Sequence, residues 1–326
     1  MIAPVAVIAW RWRTALGADI EAAVTRMLAG ESGAIANPEP AYRVRAIAPI
    51  AGAPPRTRHD RFVRRLGAFA IDAATQVAAG LAPDLRLGLY SAVGGLRAHW
   101  DDMLAAFVRQ RDDGIDAWAL GLREIHPFWM LRHLSNNVHA LLAADLGARG
   151  DGATYGGASA GAQAIAAAAW ALHAGAIDTA IVVAHDSLLE PETLVELGER
   201  DQGQLPGEAA AALVLVRPDD PRARDRLASV AAFAGAGAPT GDAMRGAIDA
   251  FSAMGPIDLV DGDHALPAAT ARTAIAAAFG EIGAVTPLVQ TIALAGILKR
   301  TRARVALGLA AGEPDLITAI RIEVPA

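Results

Sequence analysis

The residues best placed to do chemistry lie in the stretch YGGASAGAQAI, residues 155–165. Gly157, Ser159 and Gly161 form a G-x-S-x-G pattern, which in hydrolases sets a serine on a sharp strand-to-helix turn with its hydroxyl exposed. The preceding GATY reads as a strand and the following Ala-rich run as a helix, so the local context suits such an elbow. A triad would need an acid and then a histidine downstream. Asp186 with His264 is the pair that fits, because only His173, His185 and His264 follow the serine and His173 falls inside the helix itself. Two observations oppose this chemistry. A chain with 32 glycines and many alanines produces that spacing easily, and no upstream H-G-G-G-type loop offers an oxyanion hole. His264, in a loop of Asp and Gly, reads as a solvated turn residue, and His185 beside Asp186 as a structural hydrogen-bond partner. Trp10, Trp12, Phe128 and Trp129 read as core or interface anchors.

The bulk numbers narrow the classes. A chain of 326 residues that is 53% hydrophobic can bury a large core, as one big domain or two coupled halves. The net charge of −6 argues against a nucleic-acid partner, and the short arginine clusters, such as RTRHDRFVRR, read best as a solvated helix start. Cysteine is absent, which excludes disulfides, zinc ribbons and thiol catalysis. The eight histidines show no H-E-x-x-H spacing, and neither metal nor cofactor is expected. The opening VAVIAW reads as a first strand rather than a leader. Residues 158–174 are apolar, but they contain Gln163, Trp170 and His173 and are too short to span a membrane. A cytoplasmic protein is expected.

Buried apolar runs alternate with amphipathic segments along the chain. Strands are expected at VAVIAW, DLRLGLYSAVGG, GATYGG, DTAIVVAHDS, GEAAAALVLVRP, LASVAAFAGAG, PIDLVDGD, RVALGLAAG and LITAIRIEV. Helices are expected at GADIEAAVTRMLAGESG, closed by Gly30, and at 60–79, 100–110, 126–147, 158–174, 242–254, 268–279 and 288–299. The pattern is α/β with a mostly parallel sheet or two. DDPRARDR is the best internal break. It divides the chain into residues 1–218 and a shortened second half, 219–326, packed as one structural unit.

Read outward from the elbow, the residues resemble the core of the β-ketoacyl synthases of the thiolase fold. Pro127, Leu131 and Asn136 or Asn137 are similar to the family's segment leading into its buried helix. Leu146-Gly147 and Arg149-Gly150 resemble the approach to the nucleophile strand, and GAQAI from Gly161 the start of the nucleophile helix. AIVVAHDSLL and GEAAAALVL resemble the next two strands, and VAVIAW with the helix after it resembles the family's opening. The resemblance covers most of the chain, and order and spacing carry it. It implies a layered α/β sandwich of two related βαβ-type halves.

The resemblance also implies a site. The family places a cysteine at the start of the core helix, where N–H groups stabilise a thiolate and an oxyanion. Counting back three residues from Gly161, that position is Ala158; a one-residue slip makes it Ser159, a poor nucleophile without a strong base. The family's first histidine lies in an HGTGT loop. VDGDHALPA stands there, with His264 as its only histidine, off the motif whether anchored on Pro267 or on Phe279-Gly280. The second lies in a K…GH segment, where this chain has Gly283-Ala284. The single lysine, Lys299, lies beyond it. The family therefore implies a degenerate, chain-length-factor-like subunit that pairs with an active ketosynthase in a fatty-acid, polyketide or aryl-polyene pathway. Acyl carrier protein or an acyl-CoA thioester would be the family's substrate carrier, and residues 129–139 and the strand at Ile181 would be dimer contacts. Two alternatives stay open: an acyltransferase or hydrolase using Ser159 with His264, and a homodimeric acyl-binding scaffold. Within the non-catalytic subunit, Ser159 is expected to cap the helix.

Overall fold

The computed structural model describes residues 3–94, 108, 123, 125–200, 203–236, 240–262, 271–311 and 316–325. The helix expected at 100–110 falls outside this set apart from Val108, and His264 and Pro267 fall outside it altogether.

The first half contributes β1 (Val5–Arg13), α1 (Ile20–Leu28), a small hairpin of β2 (Ile35–Ala36) and β3 (Ala46–Ile47), α2 (Arg65–Ala78) and β4 (Leu87–Val93). It continues with α3 (Trp129–His133), α4 (Asn137–Leu146), β5 (Gly152–Gly156), α5 (Ala160–His173), β6 (Thr179–Ser187), α6 (Pro191–Arg200) and β7 (Glu208–Val216). The second half contributes β8 (Ala228–Ala236), α7 (Thr240–Ser252), β9 (Leu259–Asp261), β10 (Ala271–Thr273), α8 (Ile275–Phe279), α9 (Thr286–Leu298), β11 (Val305–Ala311) and β12 (Leu316–Glu323).

Ten strands form one sheet, in the order β10-β9-β11-β12-β8-β1-β7-β6-β4-β5. Numbered within its own half, each set of five strands has the order 3-2-4-5-1, and in each the fifth strand, β7 or β12, runs antiparallel to its neighbours. The first strands, β1 and β8, pair antiparallel at the seam. The two halves thus repeat one topology without visible sequence identity, because topology needs only matching burial patterns. The shortening of the second half falls partly on its strands: β9 and β10 have 3 residues each.

The apolar faces set the layers. α2 lays Phe69, Ala73 and Val77 on the outer face of the first half, against Ile181, Val183 and Val214, with Val138 and Leu142 of α4 beside them. α7 covers the outer face of the second half through Met244 and Phe251. Between the halves lie α5 and α9, where Ile165 and Leu172 meet Leu288, Val289 and Ile292. Twelve residues of α9 are buried; a helix apolar all round belongs in a core. Among the described residues no helix is long and apolar enough to cross a membrane.

Three expectations need correction. The helix at 126–147 is broken in two, because Leu134 turns extended (φ −66°, ψ 128°) before α4 begins. In 268–279, Ala271–Thr273 is strand β10, paired parallel to β9, and only Ile275–Phe279 is helical; sheet pairing overrides the helix preference of an alanine-rich run. Ile181 cannot be a dimer contact. It is fully buried in β6, which β4 and β7 flank on both sides. The exposed edge of that half is β5. On α5, Trp170 is 71% exposed.

Ile165 sits where both halves meet, so Ile165→Ala should cost about 2–5 kcal/mol. Urea unfolding followed by circular dichroism and by tryptophan fluorescence should shift as one transition, as expected for halves that unfold together; two separated transitions would show that they fold independently.

Candidate functional site

The elbow forms because β5 ends in glycine. Gly157 takes φ +94°, a conformation that L side chains rarely adopt, and turns the chain from β5 into α5. Ala158 follows, half-buried, and Ser159 stands at the N-cap with 3% exposure. The expected cap does not form. Ser159 has φ −89° and ψ 0° and makes no side-chain cap bond, whereas a capping residue normally holds an extended backbone that swings its oxygen over the first turn. Instead its Oγ accepts a hydrogen bond from Gln163 Nε2 at 2.7 Å. The hydroxyl is thus buried and engaged one turn along the helix, the opposite of an exposed nucleophile.

The first turn of α5 packs on the 3₁₀ turn Gly283–Val285 that leads into α9. A Cβ on Gly161 would lie 2.4 Å from the Ala284 carbonyl oxygen, so only glycine permits this approach. Sequence reasoning marked Ala158 and Ala284 as the vacated nucleophile and histidine positions. The structure joins their segments, the α5 start and the 283–285 turn, and Ala284 is fully buried.

Asp186 ties the arrangement together. Its Oδ1 accepts from the N–H of Ser187 at 2.8 Å and its Oδ2 from the N–H of Ala284 at 2.9 Å. Two glycines make room for it: a Cβ at Gly94 would lie 1.8 Å from Oδ1, and one at Gly283, whose φ is +53°, 2.0 Å from Oδ2. The acid that a serine hydrolase would spend on its histidine is here committed to backbone donors. Lys299 follows the last residue of α9, about 20 Å from its start at 1.5 Å per residue, and its Nζ lies 5.0 Å from the Trp10 ring centroid. The single lysine therefore serves no function at the elbow.

On the second half, Asp261 ends β9 immediately before the residues containing His264. It accepts from the Ile275 N–H and from Gln290 Nε2, each at 2.8 Å. Burial raises the Glu281 carboxyl above its ordinary value, and the negative charge of Asp261 adds to the shift. Among the described residues no three His, Asp or Glu side chains converge as metal ligands.

His185 lines, together with Gly94 and Asp186, a cavity of about 250 Å3 at the carboxyl ends of β4 and β6. Sequence reasoning missed this cavity. Glu208, 4% exposed, accepts from Arg65 Nη1 at 2.5 Å and from the Ile50 N–H at 2.9 Å. RTRHDRFVRR leads into α2 with Arg56, Arg58, Arg61 and Arg65 exposed, as a solvated helix start should, while His59 Nε2 reaches Asp145 Oδ2 at 2.7 Å. The available signal was the lone acid opening GEAAAALVL, which had to find a partner once buried. Nearby, His139 Nδ1 lies 3.0 Å from Ser91 Oγ, and burial lowers its pKa.

No family model and no curated protein matches the chain by sequence. Solved structures do match over its whole length. The β-ketoacyl synthase from Burkholderia phymatum STM815 superposes with TM-score 0.80 at 14% identity, covering 100% of both chains. This is the β-ketoacyl synthase fold. The ishigamide ketosynthase/chain length factor gives 0.78 at 16%, again over 100% of both chains. A type II polyketide synthase assembly of an acyl-carrier protein with its ketosynthase bound to the hexaketide, AntDE:AntF, gives 0.76 at 15%, over 99% of both. The thiolase-like α/β architecture that the motifs implied is the observed one.

Because the folded pKa of Glu281 is raised, protonation favours the folded state. Its contribution is complete below the ordinary value of 4.5 and is lost as pH rises through the elevated one. Glu281→Gln should flatten that fall, gaining stability over wild type at pH 7 but not at pH 4, as measured by urea titration at both.

Proposed function

We propose that this chain is a non-catalytic, ketosynthase-like subunit that partners an active β-ketoacyl–acyl-carrier-protein synthase, in the manner of a chain length factor. One observation carries the proposal. In a ketosynthase fold, the residue entering the nucleophile helix is Ala158, in a chain with no cysteine at all, and the facing turn offers Ala284 instead of histidine. With no cysteine in the chain, Ala284 in place of the second histidine and the single lysine beyond α9, the family's set of groups for attacking a thioester and driving a decarboxylation is incomplete. Ser159 is no substitute while Gln163 occupies its hydroxyl and Asp186 is committed to backbone N–H groups.

The partner is inferred from the surface. Among the described residues β5 ends the sheet with one side unpaired, and such an edge is a template for another chain. The same half also exposes apolar side chains: Trp170 at 71% on α5, and Met130 at 67% with Leu134 at 48% in the segment before α4. This replaces Ile181 as the contact strand and keeps residues 129–139. Two of the structural neighbours are a ketosynthase/chain length factor and an acyl-carrier-protein–ketosynthase assembly, which supports a ketosynthase and an acyl carrier protein as partners, in a fatty-acid, polyketide or aryl-polyene type of synthesis.

Incubation with an acyl–acyl-carrier-protein thioester followed by intact-protein mass spectrometry should show no covalent acyl group. An acyl adduct on Ser159 would establish the acyltransferase or hydrolase chemistry instead. Co-expression with an active β-ketoacyl synthase should yield a stable heterodimer on gel filtration. Trp170→Glu should weaken that complex by about tenfold or more while leaving the melting temperature of the isolated chain unchanged. A homodimer that ignores the enzyme would favour the acyl-binding scaffold.

A further inference from the structure

We draw no further inference here: the strongest candidate, the cavity of about 250 Å3 at the carboxyl ends of β4 and β6, has Arg64, Arg65 and Arg132 already engaged within the protein and Glu190 in the same wall, and the starts of α2 and α4 beside it are by themselves no ligand site.

Discussion

The carboxylate of Asp186 is the interaction on which the rest of the site depends. It sits at the end of β6 in the first half and accepts the N–H of Ala284 from the second half. A buried charge is tolerable only when its lone pairs are satisfied by well-placed donors, and two backbone N–H groups meet that requirement. The geometry leaves no slack, because Gly94 and Gly283 press on the carboxyl from either side. The clamp fixes the 283–285 turn against the first turn of α5, and Gly161 transmits the closeness to the helix. The central layer of α5 and α9 is then held at its elbow end by a polar tie and along its length by apolar packing.

That tie explains how an elbow survives without a nucleophile. In an enzyme, strain and exposure at such a turn are retained for chemistry. Here the same backbone shape is kept by packing alone: small residues at Ala158, Ala160, Gly161 and Ala162 let the helix, the strand and the turn approach one another. A reactive side chain would have to displace these contacts.

Much of the fold was legible because burial periodicity reports directly on layers. β1, β6 and β7 read as apolar runs and are buried; Gly30 and Gly147 end α1 and α4 in positive φ. The failures have physical causes. Ala271–Thr273 has no β-branched run to mark it, and only its pairing with β9 makes it a strand. Ile181 could not be told from an edge position by hydropathy, since an interior strand and an interface strand are equally apolar. Ser159 matched a capping pattern, but capping depends on a backbone angle set by Gly157 and the turn below. The Arg65–Glu208 pair joins residues far apart in sequence, and no local signal announces such a contact. The absence of cysteine, by contrast, was fully legible, because it needs no coordinates.

The seam between β1 and β8 also has a consequence in time. The Val5–Val7 edge of β1 pairs with Ala228–Val230, which are synthesised more than two hundred residues later. At roughly 5–20 residues per second that edge waits about 10–45 s for its partner. The first half can close its own five strands in the interval, but the apolar surface that α5 shares with α9 stays uncovered until α9 has been made. Slow synthesis would prolong the wait, so the nascent chain is most exposed to aggregation and to chaperones between the completion of β7 and the arrival of α9.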